Sequence, residues 1–322
     1  MEGGGIAANI KKSLPTANPV LEEFAVVKYN IEGKKYMRID DMLREKETII
    51  SCEIFPPKSG TELGHSFQIA DKIAALKPAF ISVTCGAGAN KTNYTDELAQ
   101  YVERSNVPAL AHITCVAASK EDISAVLDDY ADRGIQNVLA LRGDLPKDTL
   151  QPAQGHYMHA DELAAQIKTR GGFCVGGACY PEGHIESAKQ DEDIAFLKRK
   201  VDAGCDFLTT QMFFDNNILY KFLYKLSQKG INAPVLAGIM PVTNKAQIKR
   251  IVELTRTVLP SRFQNIIDKF GDKPDAMRQA GIAYATEQII DLIANNVRGI
   301  HIYTMNKPEV AAQIMNNLSN II

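Results

Sequence analysis

From Thr48 onward the chain alternates between two spacings of apolar side chains. Short, nearly continuous apolar runs read as buried strands, and longer stretches with apolar residues every three or four positions read as amphipathic helices. Strands are expected over 49–55, 79–84, 109–115, 136–141, 173–180, 206–212, 234–240 and 299–303. Helices are expected over about 62–76, 94–105, 160–170, 190–203, 217–228, 244–256, 260–270 and 274–296, with a closing amphipathic helix at the C-terminus. A further helix opens at Ser119, where Asp122 three positions on forms a near capping box, and ends at Arg133-Gly134. Pro56 and Pro57 stop the first strand, since neither can donate to a sheet ladder.

This makes about eight strand–helix units of about 30 residues each. Continuous apolar strands suit a parallel sheet covered on its outside, and eight units suit closure into a (β/α)8 TIM barrel. A doubly wound open sheet is the alternative, but no G-x-G-x-x-G turn follows the first strand. The barrel is expected over residues 38–322. Ahead of it, residues 1–22 lack a convincing period and read as an arm. Phe24–Tyr29 and Lys35–Ile39 alternate about the turn Glu32-Gly33-Lys34 and read as a hairpin, so 1–37 form an N-terminal extension. Asp40-Asp41 read as the N-cap of a short helix through Met42 and Leu43.

Composition narrows the function classes. The 322 residues are 45% hydrophobic and 23% charged with a net charge of −2, so nothing favours a nucleic-acid or membrane-surface role. No apolar run approaches the roughly 20 residues of a membrane span. Lys11 and Lys12 are followed by no apolar signal region, and the expected compartment is the cytoplasm. The six cysteines form no C-x-x-C pair, which argues against a zinc ribbon or iron–sulfur site; buried free thiols and no metal are expected.

In such a barrel, function gathers at the C-terminal ends of the strands. Those ends carry Glu53, Thr84, His112 with Thr114, Arg142-Gly143-Asp144, Tyr180, Gln211, Met240-Pro241 and Tyr303. A single one of these has a structural explanation: a lone Glu can be a satisfied buried carboxylate, and a strand histidine a core residue with one hydrogen bond. Packing does not explain a rim polar at nearly every strand. The loop Cys85-Gly86-Ala87-Gly88-Ala89-Asn90-Lys91-Thr92 approaches a phosphate-loop pattern but has Asn90 in place of the glycine before Lys-Thr.

With these segments assembled, the chain resembles the methylenetetrahydrofolate reductase family from about Arg38 to its C-terminus. The resemblance is carried by Ser51-Cys52-Glu53-Ile54-Phe55-Pro56-Pro57-Lys58, Ala111-His112-Ile113-Thr114-Cys115 and Ala140-Leu141-Arg142-Gly143-Asp144-Leu145-Pro146. It continues through Tyr180-Pro181-Glu182-Gly183-His184, Thr210-Gln211-Met212-Phe213-Phe214-Asp215 and His301-Ile302-Tyr303-Thr304-Met305-Asn306. It implies a barrel with non-covalent FAD that reduces 5,10-methylenetetrahydrofolate to 5-methyltetrahydrofolate. Glu53 would be the general acid that helps open the five-membered ring to an iminium ion, and Asp144 would stabilise the developing cation beside the flavin. Thr84, His112, Arg142, Gly143, Asp144, His159, Ala160, Tyr180, His184, Asp193 and Lys200 match flavin-contacting places. Gln211, Gln247 and Lys307 match folate-contacting ones.

Three departures leave the electron donor open between NAD(P)H and a partner electron-transfer subunit. Lys307 stands where the NADH-using enteric type has an arginine facing the folate glutamate tail, Ile251 where it has a phenylalanine, and Cys85 where it has a tyrosine. Oligomerisation or a hetero-complex is expected. A methyl-folate-binding methyltransferase and a non-catalytic subunit of a larger complex are the competing functions. The first has to account for the flavin set, including Tyr180, His184 and Lys200, and the second for the presence of Glu53, Asp144 and Gln211.

Overall fold

The eight apolar runs pair in sequence order, each parallel to the next, and the last returns to the first to close a barrel. The strands are β1 (Ile49–Ile54), β2 (Ile81–Val83), β3 (Ala109–Thr114), β4 (Asn137–Leu141), β5 (Cys174–Cys179), β6 (Phe207–Thr210), β7 (Val235–Ile239) and β8 (Gly299–Tyr303). The helices are α1 (Ile39–Glu45), α2 (Leu63–Ala74), α3 (Thr95–Arg104), α4 (Lys120–Asp132), α5 (Ala160–Arg170) and α6 (Gln190–Asp202). They continue as α7 (Asn216–Gln228), α8 (Lys245–Thr255), α9 (Ser261–Phe270), α10 (Pro274–Ala294) and α11 (Pro308–Asn317). This is the expected (β/α)8 TIM barrel. The computed structural model describes residues 38–57, 62–85, 94–116, 118–144, 157–187, 189–255 and 257–322. The arm and hairpin expected over 1–37, and all but Cys85 of the Gly-rich loop 85–92, lie outside the described residues.

Except for β8, the strands are shorter than the apolar runs. β6 occupies only Phe207–Thr210 of 206–212; at its ends the Asp206 carboxylate accepts from Val175 N of β5 and the Gln211 side chain accepts from Met212 N. α4 starts at the expected capping box: the Ser119 hydroxyl accepts from Asp122 N at 3.1 Å and the Asp122 carboxylate from Ser119 N at 3.1 Å. The first helix corrects one expectation. Arg38, not Asp40 or Asp41, is the N-cap of α1, and both acids lie in its first turn, where carboxylates favour the positive end of the helix dipole.

Strand alternation divides the core in two. Ile50, Cys52 and Ile54 of β1 face outward into the large cluster shared with the helices, whereas Ile49 joins Phe80, Leu110, Leu139, Cys174, Phe207 and Leu236 in a second cluster. α1 covers this second cluster with Ile39 and Leu43. Each fully buried apolar side chain of this size contributes about 1.5–3 kcal/mol. The cover is fixed by buried Asn137, whose Oδ1 accepts from Ile39 N at 2.9 Å and whose Nδ2 donates to Ala109 O at 3.2 Å.

Asp40, Cys174 and Asp206 converge near this end with ligand atoms within 4.8 Å of one another. Asp40 pairs with Arg38 at 3.0 Å and Asp206 with Lys168 at 2.6 Å, so side-chain cations balance both acids. Five of the six cysteines are buried free thiols, as expected, and Cys85 is partly exposed.

Candidate active site

Climbing β1, the side chains of one face change from Ile49 through Ser51 to Glu53. Glu53 is only 8% exposed, beside Ser82 of β2 and Tyr303 of β8 in the ladder. Two imidazoles approach one carboxylate oxygen: His301 Nε2 is 3.5 Å and His112 Nε2 3.8 Å from Glu53 Oε2. A serine holds each ring, with Ser51 Oγ 2.8 Å from His301 Nδ1 and Ser82 Oγ 2.7 Å from His112 Nε2. Ser51 has one hydroxyl proton, and Ile300 O accepts it at 3.1 Å. Burial pushes His112 down to about 4, against the opposing pull of the Glu53 charge and with the help of His301, so its ring is neutral at pH 7.

A cavity of about 410 Å³ opens between the C-terminal ends of β4 and β5 and helices α5 and α6. It contains two cations. The Arg142 guanidinium forks onto Glu186 at 2.6 and 2.7 Å, and Lys200 Nζ donates to Ala178 O at 2.7 Å. The Lys200 stem lies against Gly177, where a Cβ would come within 2.9 Å of Lys200 Cδ. Rings form the walls: Tyr180 meets His184 edge-on at 4.6 Å, and His159 stacks on Phe196 at 5.9 Å. Burial raises the Asp193 carboxyl above its ordinary value, with His184 and Lys200 opposing, and burial lowers His184.

A third group lies beyond β7. Lys307 Nζ donates to Thr243 Oγ1 at 2.8 Å and Thr243 N donates to Gln247 Oε1 at 3.2 Å, so Lys307 and Gln247 meet at one threonine. Gln211, just past β6, is anchored through its own N–H, which donates to Cys179 O at 2.7 Å.

The expected residues therefore fall in definite places. Arg142, His159, Ala160, Tyr180, His184, Asp193 and Lys200 line one cavity, and His112 belongs to the axial group. Thr84 sits just past β2, where its carbonyl accepts from Thr95 Oγ1 at 2.8 Å. Gly143 has φ +85 and an added Cβ would lie 3.0 Å from Thr114 Cβ, so this place needs glycine. Asp144 is exposed, and its charge is felt at Arg142 and Tyr180.

A sequence model described as methylenetetrahydrofolate reductase matches residues 38–319. The chain belongs to that family. Among its relatives, methylenetetrahydrofolate reductase (NADH) 1 of Arabidopsis thaliana is 33% identical over 298 residues, covering 88% of this chain and 50% of the plant protein. The 5,10-methylenetetrahydrofolate reductase of Escherichia coli is 31% identical over 270 residues, covering 84% of this chain and 90% of the bacterial one. The chain thus spans about half the length of the plant relative and nearly all of the bacterial one. Among solved structures, an uncharacterized protein from Clostridium thermocellum that binds two copies of 5-methyl-5,6,7,8-tetrahydrofolic acid superposes with a TM-score of 0.63. It covers 89% of this chain and 100% of its own at 12% identity, a likeness of fold alone.

For this member of the family, sequence reasoning missed Ser51, Ser82 and His301 around Glu53, and Glu186 and Phe196 at the cavity. One signal was available for His301: like His112, it stands inside an otherwise apolar strand. Of the three departures, Ile251 is buried with Met240, Ile248 and Phe263, Cys85 Sγ lies 3.7 Å from Thr114 Oγ1, and Lys307 holds Thr243. None of the helices among the described residues is long and apolar enough to cross a membrane.

Proposed function

We propose that this chain is a flavin-dependent 5,10-methylenetetrahydrofolate reductase, with residues 38–322 as the catalytic domain. FAD would occupy the cavity between α5, α6 and the ends of β4 and β5, and the folate would lie over the barrel axis. The observation that carries this reading is Glu53, a nearly buried carboxyl approached by two imidazoles at the mouth of the barrel.

The cavity suits a dinucleotide. Arg142 and Lys200 offer cations to phosphates, the exposed Glu186 can yield the Arg142 fork to a phosphate, and the faces of Phe196 and Tyr180 offer apolar wall to rings. When bound, the flavin supplies the hydride. The remaining work falls to the chain. Glu53 in its protonated form gives a proton to the folate, which opens the five-membered ring and leaves an iminium carbon. His301 and the neutral His112, whose Nε2 atoms lie 3.5 and 3.8 Å from Glu53 Oε2, flank that carboxyl. Gln211 and Gln247 carry amides that both donate and accept, matching the edge of a pterin, and Lys307 offers a charge to the carboxylates of the folate tail. Asp144 places negative charge near the developing cation. Electrons come from NAD(P)H or from a partner subunit, and anaerobic addition of NADH to the flavoprotein separates the two.

Glu53→Gln tests the assignment. The variant is expected to retain FAD and accept electrons from the donor, while folate reduction falls by at least about a few hundredfold, the usual scale for loss of a general acid. Near-normal folate turnover would remove Glu53 from the mechanism.

A further inference from the structure

We infer that the turn after β8, Tyr303 to Asn306, is a clamp that sets the separation between Glu53 and Gln211, with Tyr303, Thr304 and Asn306 as positioning residues for the reduction. The inference rests on the reductase function proposed above.

One arm of the clamp grips β1. The β1–β8 ladder pairs Glu53 with Tyr303, and beyond that point side chains continue it. Asn306 Oδ1 accepts from Phe55 N at 2.8 Å and Asn306 Nδ2 donates to Phe55 O at 3.1 Å, so one amide side chain takes the place of a strand neighbour. Thr304 Oγ1 donates to Glu53 O at 2.5 Å and accepts from Asn306 N at 3.2 Å. The backbone from the Glu53 carbonyl to Phe55, immediately C-terminal to the acid, is thereby tied to one turn.

That turn is strained in the sense that matters for function. Met305 has φ 53 and Asn306 φ 54, two successive left-handed residues. Asparagine tolerates this conformation, but methionine does so only where its surroundings hold it. Met305 packs against the cluster around Met240 and Phe263, and the bonds to residues 53 and 55 fix the turn on β1.

The other arm grips β6. Tyr303 Oη donates to Thr210 O at 2.6 Å, the carbonyl immediately before Gln211. To reach it the ring crosses β7 at Gly238, where a Cβ would lie 2.7 Å from Tyr303 Cε2 and 2.4 Å from Thr210 O. Glycine there opens the path. The four residues 303–306 thus hold both the strand end that carries the acid and the one that carries the pterin-facing amide.

Two variants of the flavin-loaded enzyme separate the arms. Asn306→Gly keeps a residue at ease with positive φ and removes only the bracket on Phe55, and Tyr303→Phe keeps the ring and removes only the hydroxyl. Misplacement of a reacting group by a fraction of an ångström predicts a loss of about tenfold in kcat for Asn306→Gly, with the folate KM within about twofold of wild type. Tyr303→Phe is expected to raise the folate KM about tenfold and to change kcat by less than about threefold. Because the Asn306 bracket acts through Glu53, adding Asn306→Gly to Glu53→Gln is expected to change the residual turnover by less than about twofold. A tenfold loss that persists in the Glu53→Gln background, or equal losses of kcat and KM in both single variants, would assign the turn a merely structural role. Wild-type kinetics in both variants, with Glu53→Gln inactive, overturns the clamp and leaves the reductase function standing. Normal turnover in Glu53→Gln itself overturns both.

Discussion

The neutral, buried His112 predicts a stability loss in mild acid that can be worked out from the site. Its imidazole is 6% exposed, and burial lowers it from 6.5 to about 4 in the folded protein, outweighing the nearby Glu53 charge. Between those values the unfolded chain holds a proton that the folded chain does not. The contribution is therefore fully present above pH 6.5 and is lost as the pH falls through 4. At 1.36 kcal/mol per unit the full loss is about 3 kcal/mol, of which about 2 kcal/mol falls between pH 7 and pH 5. The perturbation is His112→Gln, which can still hydrogen-bond to Ser82 but does not titrate. Urea unfolding of wild type and variant at pH 7 and pH 5 gives the difference of differences. The variant is expected to lose about 2 kcal/mol less than wild type over that interval. Equal losses in the two proteins would show that His112 keeps an ordinary affinity for protons in the fold, and would refute the account of burial around Glu53.

Two further predictions concern packing and substrate. Gly281→Ala places a Cβ 1.7 Å from Val242 O, so α10 must move away from the loop after β7; a loss of about 2 kcal/mol or more is expected, read as a melting temperature several degrees lower. An unchanged melting temperature would mean that α10 backs away without cost. Lys307→Ala is expected to weaken folate binding about tenfold, the scale of one charge-assisted contact, with flavin retention unchanged. A change confined to flavin retention would contradict the folate-contacting role of Lys307.

Much of the fold was legible because each strand carries its own signal. β1 is an apolar run stopped by Pro56-Pro57, and α4 opens on a capping box that the structure reproduces in both hydrogen bonds. Strand ends were less legible, since Asp206 and Gln211 belong to polar loops that continue an apolar run. The start of α1 was misplaced because Asp40 and Asp41 suit the first turn of a helix as well as its cap.

The site was legible one residue at a time, and its convergence was not. Glu53, Arg142 and Tyr180 follow from strand ends and from the family resemblance, and Lys200 from the resemblance alone. That Ser51 meets His301 depends on closure of the barrel, which makes neighbours of strands about 250 residues apart. Glu186 is a charged residue in a loop, where no periodic pattern points to the Arg142 fork. Asn306 reads in sequence as an ordinary turn residue, and only the hydrogen bonds to Phe55 reveal what the turn holds.

The most direct test of the proposed function is an anaerobic visible spectrum of the purified protein, before and after 5-methyltetrahydrofolate is added. A yellow protein whose flavin bands bleach on addition is the expected result, because the folate half-reaction then runs in reverse through the site around Glu53. A colourless preparation that cannot take up FAD, or flavin bands unchanged by the folate, would contradict it.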